Sequence, residues 1–529
     1  MNYASITFLF FILITGTVYF IIPKKFQWLV LLAASAAFYM LSCGLKIFFL
    51  MAAAIIIYSA ALEIERLSNK YSFQKKGLEK NERKALKKKI DRRKKLTVAS
   101  AVILTLAMIF STKYFNFFGS LINGIGGITG HGSIIPTFKI LMPLGISYYT
   151  LMGISYIVDV YRNTCEAEKN PLRLMLFLCY FPHIVEGPFD RYKILSQQFK
   201  TPHYLDYDRI KNGGIRFIWG LFKKVIIADR AGLIVNTIFS DASSYSGSAL
   251  FIAVILYTLQ IYAEFSGCMD MVCGISQMFG INISENFKRP FFSASISEFW
   301  RRWHITLGLW LKDYIFYPVS LSAHFKRINE FLKKHIRSSH LLALLPSAYA
   351  LLFVWFSNGL WHGASGKYIF YGLYYYLLMM LGQALKPVSD KALQSLRISR
   401  DNTWYHRFEV LRTCAIVCMG MLIFRAESLR QAGEIAVKIF TDFVPSALAD
   451  GTLLVSGVHI YDYFILGISF VLLLAVSLME EKGYDFRQQI EKQILPLRWS
   501  IYMVMLFSII IFGAYGGDFT NTAFIYGEF

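Results

Sequence analysis

The amino-acid sequence predicts an all-α, polytopic integral membrane protein. Of 529 residues, 55% are apolar and 17% charged, whereas a soluble chain carries about 25% charged residues. Mean hydropathy is positive, +0.45. The apolar residues collect in uncharged runs of spanning length, and much of the basic excess falls between them. The same composition excludes disorder, collagen and coiled coil. A net charge of +21 in such a chain points to topology, anionic lipid or an anionic substrate, with no nucleic-acid partner expected.

A spanning helix takes about 20 mostly apolar residues. The runs 1–23, 26–45, 47–62, 96–112, 140–158, 242–263, 341–361, 368–385, 463–479 and 499–517 contain no Lys, Arg, Asp or Glu. Shorter or interrupted candidates lie at 174–185, 213–235, 271–284, 299–320 and 413–424. Together they predict roughly eleven to thirteen transmembrane helices, with re-entrant and amphipathic helices besides. The first run has no basic residue before it and no small-residue cleavage site after it, so it reads as a retained helix.

Charge orients these runs. Residues 65–96 hold 14 Lys and Arg against 4 Asp and Glu. The positive-inside rule makes this stretch cytoplasmic, which puts the N-terminus outside and Lys24-Lys25 inside. Its composition suggests a surface helix, and anionic headgroups are natural partners for the Lys87–Lys95 cluster. The basic stretches 189–216 and 323–340 are also expected inside, while the uncharged 119–135 and the acidic 442–462 fit the outer side. Breaks at Pro143-Leu144-Gly145, Pro182, Gly187-Pro188 and Gly359 suggest re-entrant segments, because a broken backbone at membrane depth must be buried in protein or line a wet cavity. The seven cysteines form no CxxC pair, so neither a disulfide nor a zinc site is expected.

Two segments place polar groups where lipid would not tolerate them idly. The first runs from Asn286-Phe-Lys-Arg-Pro290 through Ser297-Glu-Phe-Trp-Arg-Arg-Trp-His-Ile-Thr306 to Trp310-Leu-Lys-Asp-Tyr314. On one continuous helix, Trp300, Trp303 and Trp310 share a face and His304 lies one turn from Trp300. Arg301 and Arg302 mark either a site or an interfacial helix with snorkelling arginines. The second is Asn358-Gly-Leu-Trp-His-Gly-Ala-Ser365. Here His362 can be a proton acceptor or a structural residue at a helix end, and Gly359 and Gly363 allow a turn or a close approach. His183 and Glu186 have metal-like spacing, but the prolines and glycine around them spoil a helix. Glu264, Ser266 and Asp270 read best as hydrogen-bonding between helices.

At these residues the sequence resembles the membrane-bound O-acyltransferase (MBOAT) family, in its bacterial branch of alginate O-acetylation and teichoic acid D-alanyl transfer. The motifs are Phe181-Pro-His-Ile-Val-Glu-Gly-Pro-Phe-Asp-Arg-Tyr192, Glu264-Phe-Ser-Gly267, Asn286-Phe-Lys-Arg-Pro-Phe291, Phe299-Trp-Arg-Arg-Trp-His304, Asp313-Tyr314 and Asn358-Gly-Leu-Trp-His-Gly363, in family order. The resemblance implies the MBOAT fold, with N-terminal transmembrane helices 1–135, a catalytic core over 136–390 and C-terminal helices 391–529. The spans after 400 and the ending Phe524-Ile-Tyr-Gly-Glu-Phe529 are similar to the alginate-acetylation type. Gly366 replaces a Trp common in relatives, His183 an amide, and Asp190 is similar to the D-alanyl branch, which puts acyl selectivity in question.

The implied activity is O-acetyl transfer from a cytoplasmic thioester such as acetyl-CoA to a cell-surface polysaccharide, with no permanently bound cofactor and no metal. His362 would be the catalytic base or transient acyl carrier, and His304 would orient the acyl carbonyl. Arg301, Arg302, Trp303, Lys288, Asn358 and Trp361 would contact substrate, the cations through donor phosphates. An extracytoplasmic SGNH-hydrolase-like partner and a bacterial cytoplasmic membrane location follow from the same resemblance. If 323–340 is inside, the span 341–361 carries His362 outward. The competing readings are D-alanyl transfer to teichoic acid, and a transporter or flippase with no enzymatic activity, which internal repeats would favour.

Overall fold

A computed structural model of the chain describes residues 2–128, 135–138, 142–448, 450–455 and 457–515. Among the described residues every regular element is helical apart from one isolated antiparallel bridge between Phe287 and Trp303. The all-α expectation is met. The ending Phe524–Phe529 and part of the Gly-rich stretch 119–135 lie outside the described residues.

Among the described residues, six stretches are long and apolar enough to cross a membrane: Lys24–Gln74, Lys80–Gly124, Gly247–Met278, Ser339–His362, Ile460–Glu481 and Leu495–Phe512. The first holds two helices, Gln27–Cys43 and Ile47–Gln74, separated where Gly44 takes φ +57°. Ile6–Ile21 is a shorter apolar helix. Side chains such as Leu13, Ile55, Ile103, Ile468, Val471 and Ile511 stand exposed on these helices, as lipid-facing residues do. Several other apolar runs make shorter pieces. The run 174–185 becomes the nine-residue helix Pro171–Cys179 followed by irregular chain. Residues 299–320 divide into Ile296–Arg302, Ile305–Leu311, a π-helical turn over Lys312–Phe316 and the short helix Tyr317–Ser320.

The chain forms two compact units. The first comprises residues 1–214 and 272–284. Its aromatic core sets Tyr3, Phe8 and Phe38 against Phe181. The breaks at Pro182 and Gly187-Pro188 fall in irregular, buried chain, where Tyr3 Oη donates to Phe181 O (2.9 Å) and Tyr148 Oη to Pro188 O. Freed backbone groups are thus satisfied within protein, as membrane depth demands. His183 donates through Nε2 to Phe177 O at 3.2 Å, a structural contact. The basic stretch 65–96 is helical, but it is no separate surface helix. It is the end of Ile47–Gln74 and the start of Lys80–Ile109, with Glu79 and Glu82 forming a capping box.

The second unit, residues 215–271 and 285–529, carries both histidine motifs. Gly359 does not break its helix. Ser339–His362 runs through it, and through Pro346. The missing side chains serve helix approach instead: a Cβ at Gly359 would stand 2.4 Å from Tyr368 O, and one at Gly372 would stand 2.3 Å from Trp355 O. Small residues are what let two backbones cross this closely. Helix Gly366–Ala384 is therefore locked against the helix that ends on His362.

Elsewhere in this unit, Gly220 and Gly267 meet backbone to backbone, with a Cβ on Gly220 placed 2.5 Å from Gly267 O. The approach aligns a π-helical stretch, Phe222–Ala228, with helix Gly247–Met278. Lys223 Nζ reaches Ser266 Oγ (3.1 Å) and Asp270 Oδ2 (2.5 Å), and Lys224 Nζ reaches Glu264 (3.0 Å) and Asp229 (2.8 Å). Arg216 bridges Asp270 and Glu285. Glu264, Ser266 and Asp270 do bond between helices, and their partners across the contact are the basic side chains of Lys223 and Lys224.

Candidate active site

His304 sits where a helix is interrupted. Ser295 caps Ile296–Arg302 by accepting the Glu298 N–H at 3.2 Å, and the chain then turns extended at Trp303. His304 itself adopts φ +48°, ψ +50° before Ile305–Leu311 begins. A left-handed non-glycine residue costs roughly 1–2 kcal/mol and persists only when neighbours impose it. Segment 286–288 imposes it here. Lys288 N–H donates to Arg302 O (2.9 Å), and Ile305 N–H donates to Asn286 O (3.0 Å). The Asn286 side chain then caps the second helix from outside, its Oδ1 accepting from Thr306 N–H (3.0 Å), Thr306 Oγ1 (2.9 Å) and His304 Nδ1 (3.2 Å). The reading of this segment as one continuous helix, with Trp300, Trp303 and Trp310 on one face and His304 one turn from Trp300, is corrected by this insertion.

His362 ends the helix Ser339–His362, buried, with its ring against Phe424 (5.2 Å) and Tyr371 (5.6 Å). Gly363 follows it because a Cβ there would stand 2.3 Å from the Tyr368 ring. His304 and His362 line one cavity of about 50 Å³, together with Trp300, Trp303, Trp355 and Asn358. Trp361 packs against both imidazoles, 5.5 Å from His304 and 4.8 Å from His362. No carboxylate, Lys or Arg is among the described residues that line the cavity. His304 lies outside the spanning stretches, and burial pushes its pKa down to about 3, so the ring is neutral at pH 7.

The remaining candidates divide. Asn358 and Trp303 line the histidine cavity, and Trp361 packs against it. Lys288 lines a separate cleft of about 440 Å³ with Arg216, Lys223, Asp270, Glu285 and Arg487. Arg302 is held by carboxylates, Glu298 at 2.7 Å and Glu481 at 2.9 Å, and lines neither space. Arg301, exposed at the end of its short helix, lines neither as well. Asn286 touches both regions: it lines the cleft and holds His304. Its role was not read from the sequence, although an amide just before a Phe-Lys-Arg-Pro break is the kind of residue that caps a neighbouring chain.

Two buried imidazoles and an amide in a small aromatic cavity can move a proton and hold a short acyl group. The profile described as MBOAT, membrane-bound O-acyltransferase family, matches residues 167–328, a span that includes His304 and Asn286. A teichoic acid D-alanyltransferase of Bacillus subtilis is 30% identical over 299 residues, which cover 55% of this chain and 70% of that protein. The chain belongs to the membrane-bound O-acyltransferase family. Other relatives in sequence are a probable alginate O-acetylase of Pseudomonas syringae, 34% identical over 344 residues (64% of this chain, 60% of that protein), and a peptidoglycan O-acetyltransferase of Helicobacter pylori, 28% identical over 365 residues (64% and 63%). The chain thus spans less than two thirds of the length of these two O-acetylating relatives. As an MBOAT member with six stretches of spanning length among its described residues, it is a multi-pass membrane protein.

Proposed function

We propose that this protein is a membrane O-acyltransferase that moves an acetyl group from a cytoplasmic thioester, such as acetyl-CoA, for O-acetylation of a cell-surface polysaccharide. The observation that carries the reading is the shared cavity of His304 and His362. Its 50 Å³ suits a group of a few heavy atoms, since one water already needs about 10–15 Å³ of such volume. That favours a short acyl group over a fatty one. In the transfer, the acceptor hydroxyl loses its proton to the imidazole pair while its oxygen bonds the acyl carbon. The carbon–sulfur bond breaks, and the proton passes to the thiolate. His362 serves as base or, in a relay, carries the acyl group on its ring. Asn358, Trp303 and Trp361 shape the cavity, and among Lys288, Arg301 and Arg302 it is Lys288 that is best placed for an anionic donor.

D-alanyl transfer to teichoic acid is the second reading, favoured by the Bacillus subtilis relative and by Asp190. Asp190 bonds Ser284 through Oδ1, at 3.2 Å to N and 2.5 Å to Oγ, which gives it a structural use and lessens its weight as an acyl-selectivity signal. A bacterial cytoplasmic membrane with the N-terminus outside, an SGNH-hydrolase-like acceptor protein beyond the membrane and anionic lipid around the basic helices complete the proposal. Membranes carrying wild type or His362→Ala are incubated with labelled acetyl-CoA and, separately, with a D-alanyl-loaded carrier protein. Incorporation from acetyl-CoA alone, lost in the folded variant, supports O-acetylation. Incorporation from the D-alanyl carrier alone replaces it with the second reading, and transfer that survives His362→Ala removes both.

A further inference from the structure

Asn286 fixes more than the backbone around His304. Its Oδ1 receives the backbone N–H of Thr306 at 3.0 Å. A backbone N–H can only donate, so the side-chain atom facing it is the carbonyl oxygen and not the amide nitrogen. The amide nitrogen is turned the other way, 3.4 Å from Met269 Sδ. The same oxygen lies 3.2 Å from His304 Nδ1. An amide oxygen has no proton to give, so Nδ1 must carry one. In a neutral imidazole the proton on one nitrogen leaves the lone pair on the other. The arrangement is buried and over-determined: Asn286 also holds Ile305 N–H through its own carbonyl, and His304 is pinned in its left-handed conformation.

We infer that Asn286 is a positioning residue that holds His304 in the Nδ1–H tautomer. Nε2, on the ring edge away from Asn286, then presents a lone pair, and His304 takes the proton of the acceptor hydroxyl instead of donating a hydrogen bond to the acyl carbonyl. The second half of this statement rests on the acyltransferase reading. In that step the O–H bond breaks toward Nε2 as the new C–O bond forms. The bond from the acyl carbon to its carrier, a thiol sulfur or a ring nitrogen of His362, breaks, and the proton passes to that leaving atom. A ring that had to polarise the carbonyl would need N–H on Nε2, which the neutral Nδ1–H form does not have. The family-derived role of orienting the carbonyl is therefore reassigned from His304.

The test uses full-length protein in bilayers with ¹⁵N-labelled histidine, the His304 signals being identified by their loss in His304→Gln. At neutral pH the wild type is expected to show a protonated Nδ1 and an unprotonated Nε2. An Nε2–H tautomer overturns the inference whatever the activity. Asn286→Leu, which removes the acceptor, and Asn286→Asp, which keeps it, are compared for transfer from labelled acetyl-CoA. Asn286→Leu is expected to lose about 100-fold in kcat, the low end of a positioned acid–base contribution, with KM for acetyl-CoA within about threefold. Asn286→Asp is expected to recover at least about tenfold of that loss. A wild-type kcat in Asn286→Leu, or a loss confined to KM, refutes the positioning role. A wild type that transfers from no donor sinks the acyltransferase reading and the hydroxyl step with it, while the tautomer is decided separately by the nitrogen signals.

Discussion

The second unit holds two polar regions built on opposite principles. The cleft is rich in charge: Arg216 and Lys223 are matched there by Asp270 and Glu285, and Lys288 and Arg487 join them. The histidine cavity is lined by indoles, aliphatic side chains, an amide and two imidazoles. In the cleft, most of the polar energy is spent inside the protein, carboxylate against cation. In the cavity, the two imidazoles meet indoles and an amide, and no carboxylate, Lys or Arg is among the described residues that line it. On the proposed function, a buried imidazole is a better guide to the reacting atoms here than a buried charge.

Removing the ring of His362 tests the difference most severely. His362→Ala is expected to lower transfer at least about 1000-fold while leaving the protein folded, measured as labelled acyl incorporation beside the thermal midpoint in detergent. Comparable transfer would move the chemistry out of the cavity. Lys223→Met does the opposite. It leaves Asp270 with one cation fewer and is expected to cost about 3 kcal/mol of stability, as broken buried pairs do, with partial recovery in Lys223→Met/Asp270→Leu. An unchanged denaturation midpoint for the single variant would mean that the pair is not buried in the membrane-embedded protein.

A smaller effect is expected at the helix crossing that carries His362. Gly359→Ala puts a methyl 2.4 Å from Tyr368 O and should destabilise by about 1–3 kcal/mol, with a fall in kcat because the histidine is displaced. A neutral result would mean that the helices separate freely. Between the cations, Lys288→Ala is expected to raise the KM for acetyl-CoA by about tenfold, as the loss of one charged contact does, whereas Arg302→Ala, already paired with Glu298 and Glu481, should change it less than about twofold. The reverse order would return Arg302 to the donor site.

The mildest test lies in the first unit. Burial alone would raise the Glu168 carboxyl, but Lys200 and Tyr192 outweigh it and hold the group below its ordinary range. A depressed folded pKa stabilises above the unfolded value and is lost as pH falls through the folded one. Glu168→Gln should therefore flatten the stability profile below about pH 4.5 and leave its high-pH limb alone. A steeper acid limb would contradict the pairing.

What could be read from the sequence follows the range of the interactions. Apolar runs were legible because each is local, length declaring a span, whereas the residues around the two histidines left a site and a structural role both open, and only the family resemblance chose between them. Glu264, Ser266 and Asp270 were legible as helix-to-helix groups for the same reason as the runs. Lys223 and Lys224 were not matched to them, since the pairing depends on a π-helical stretch and a glycine contact that set the register of two separate helices. The Trp300–His304 stack failed for a related cause. Nothing within 297–306 breaks a helix strongly, and the break is imposed by Asn286 from an earlier segment. The same long range hid the difference between Arg302 and Lys288, because Glu481 comes from the helix Ile460–Glu481.

The most direct measurement is the pair of single variants His304→Ala and His362→Ala set against the double variant, each assayed for labelled acetyl transfer in membranes and checked for folding. Residues that work as one site are strongly non-additive. The double variant is predicted to lose no more than about threefold beyond the worse single variant. Losses that multiply, or a folded His362→Ala that still transfers, would contradict a single catalytic cavity.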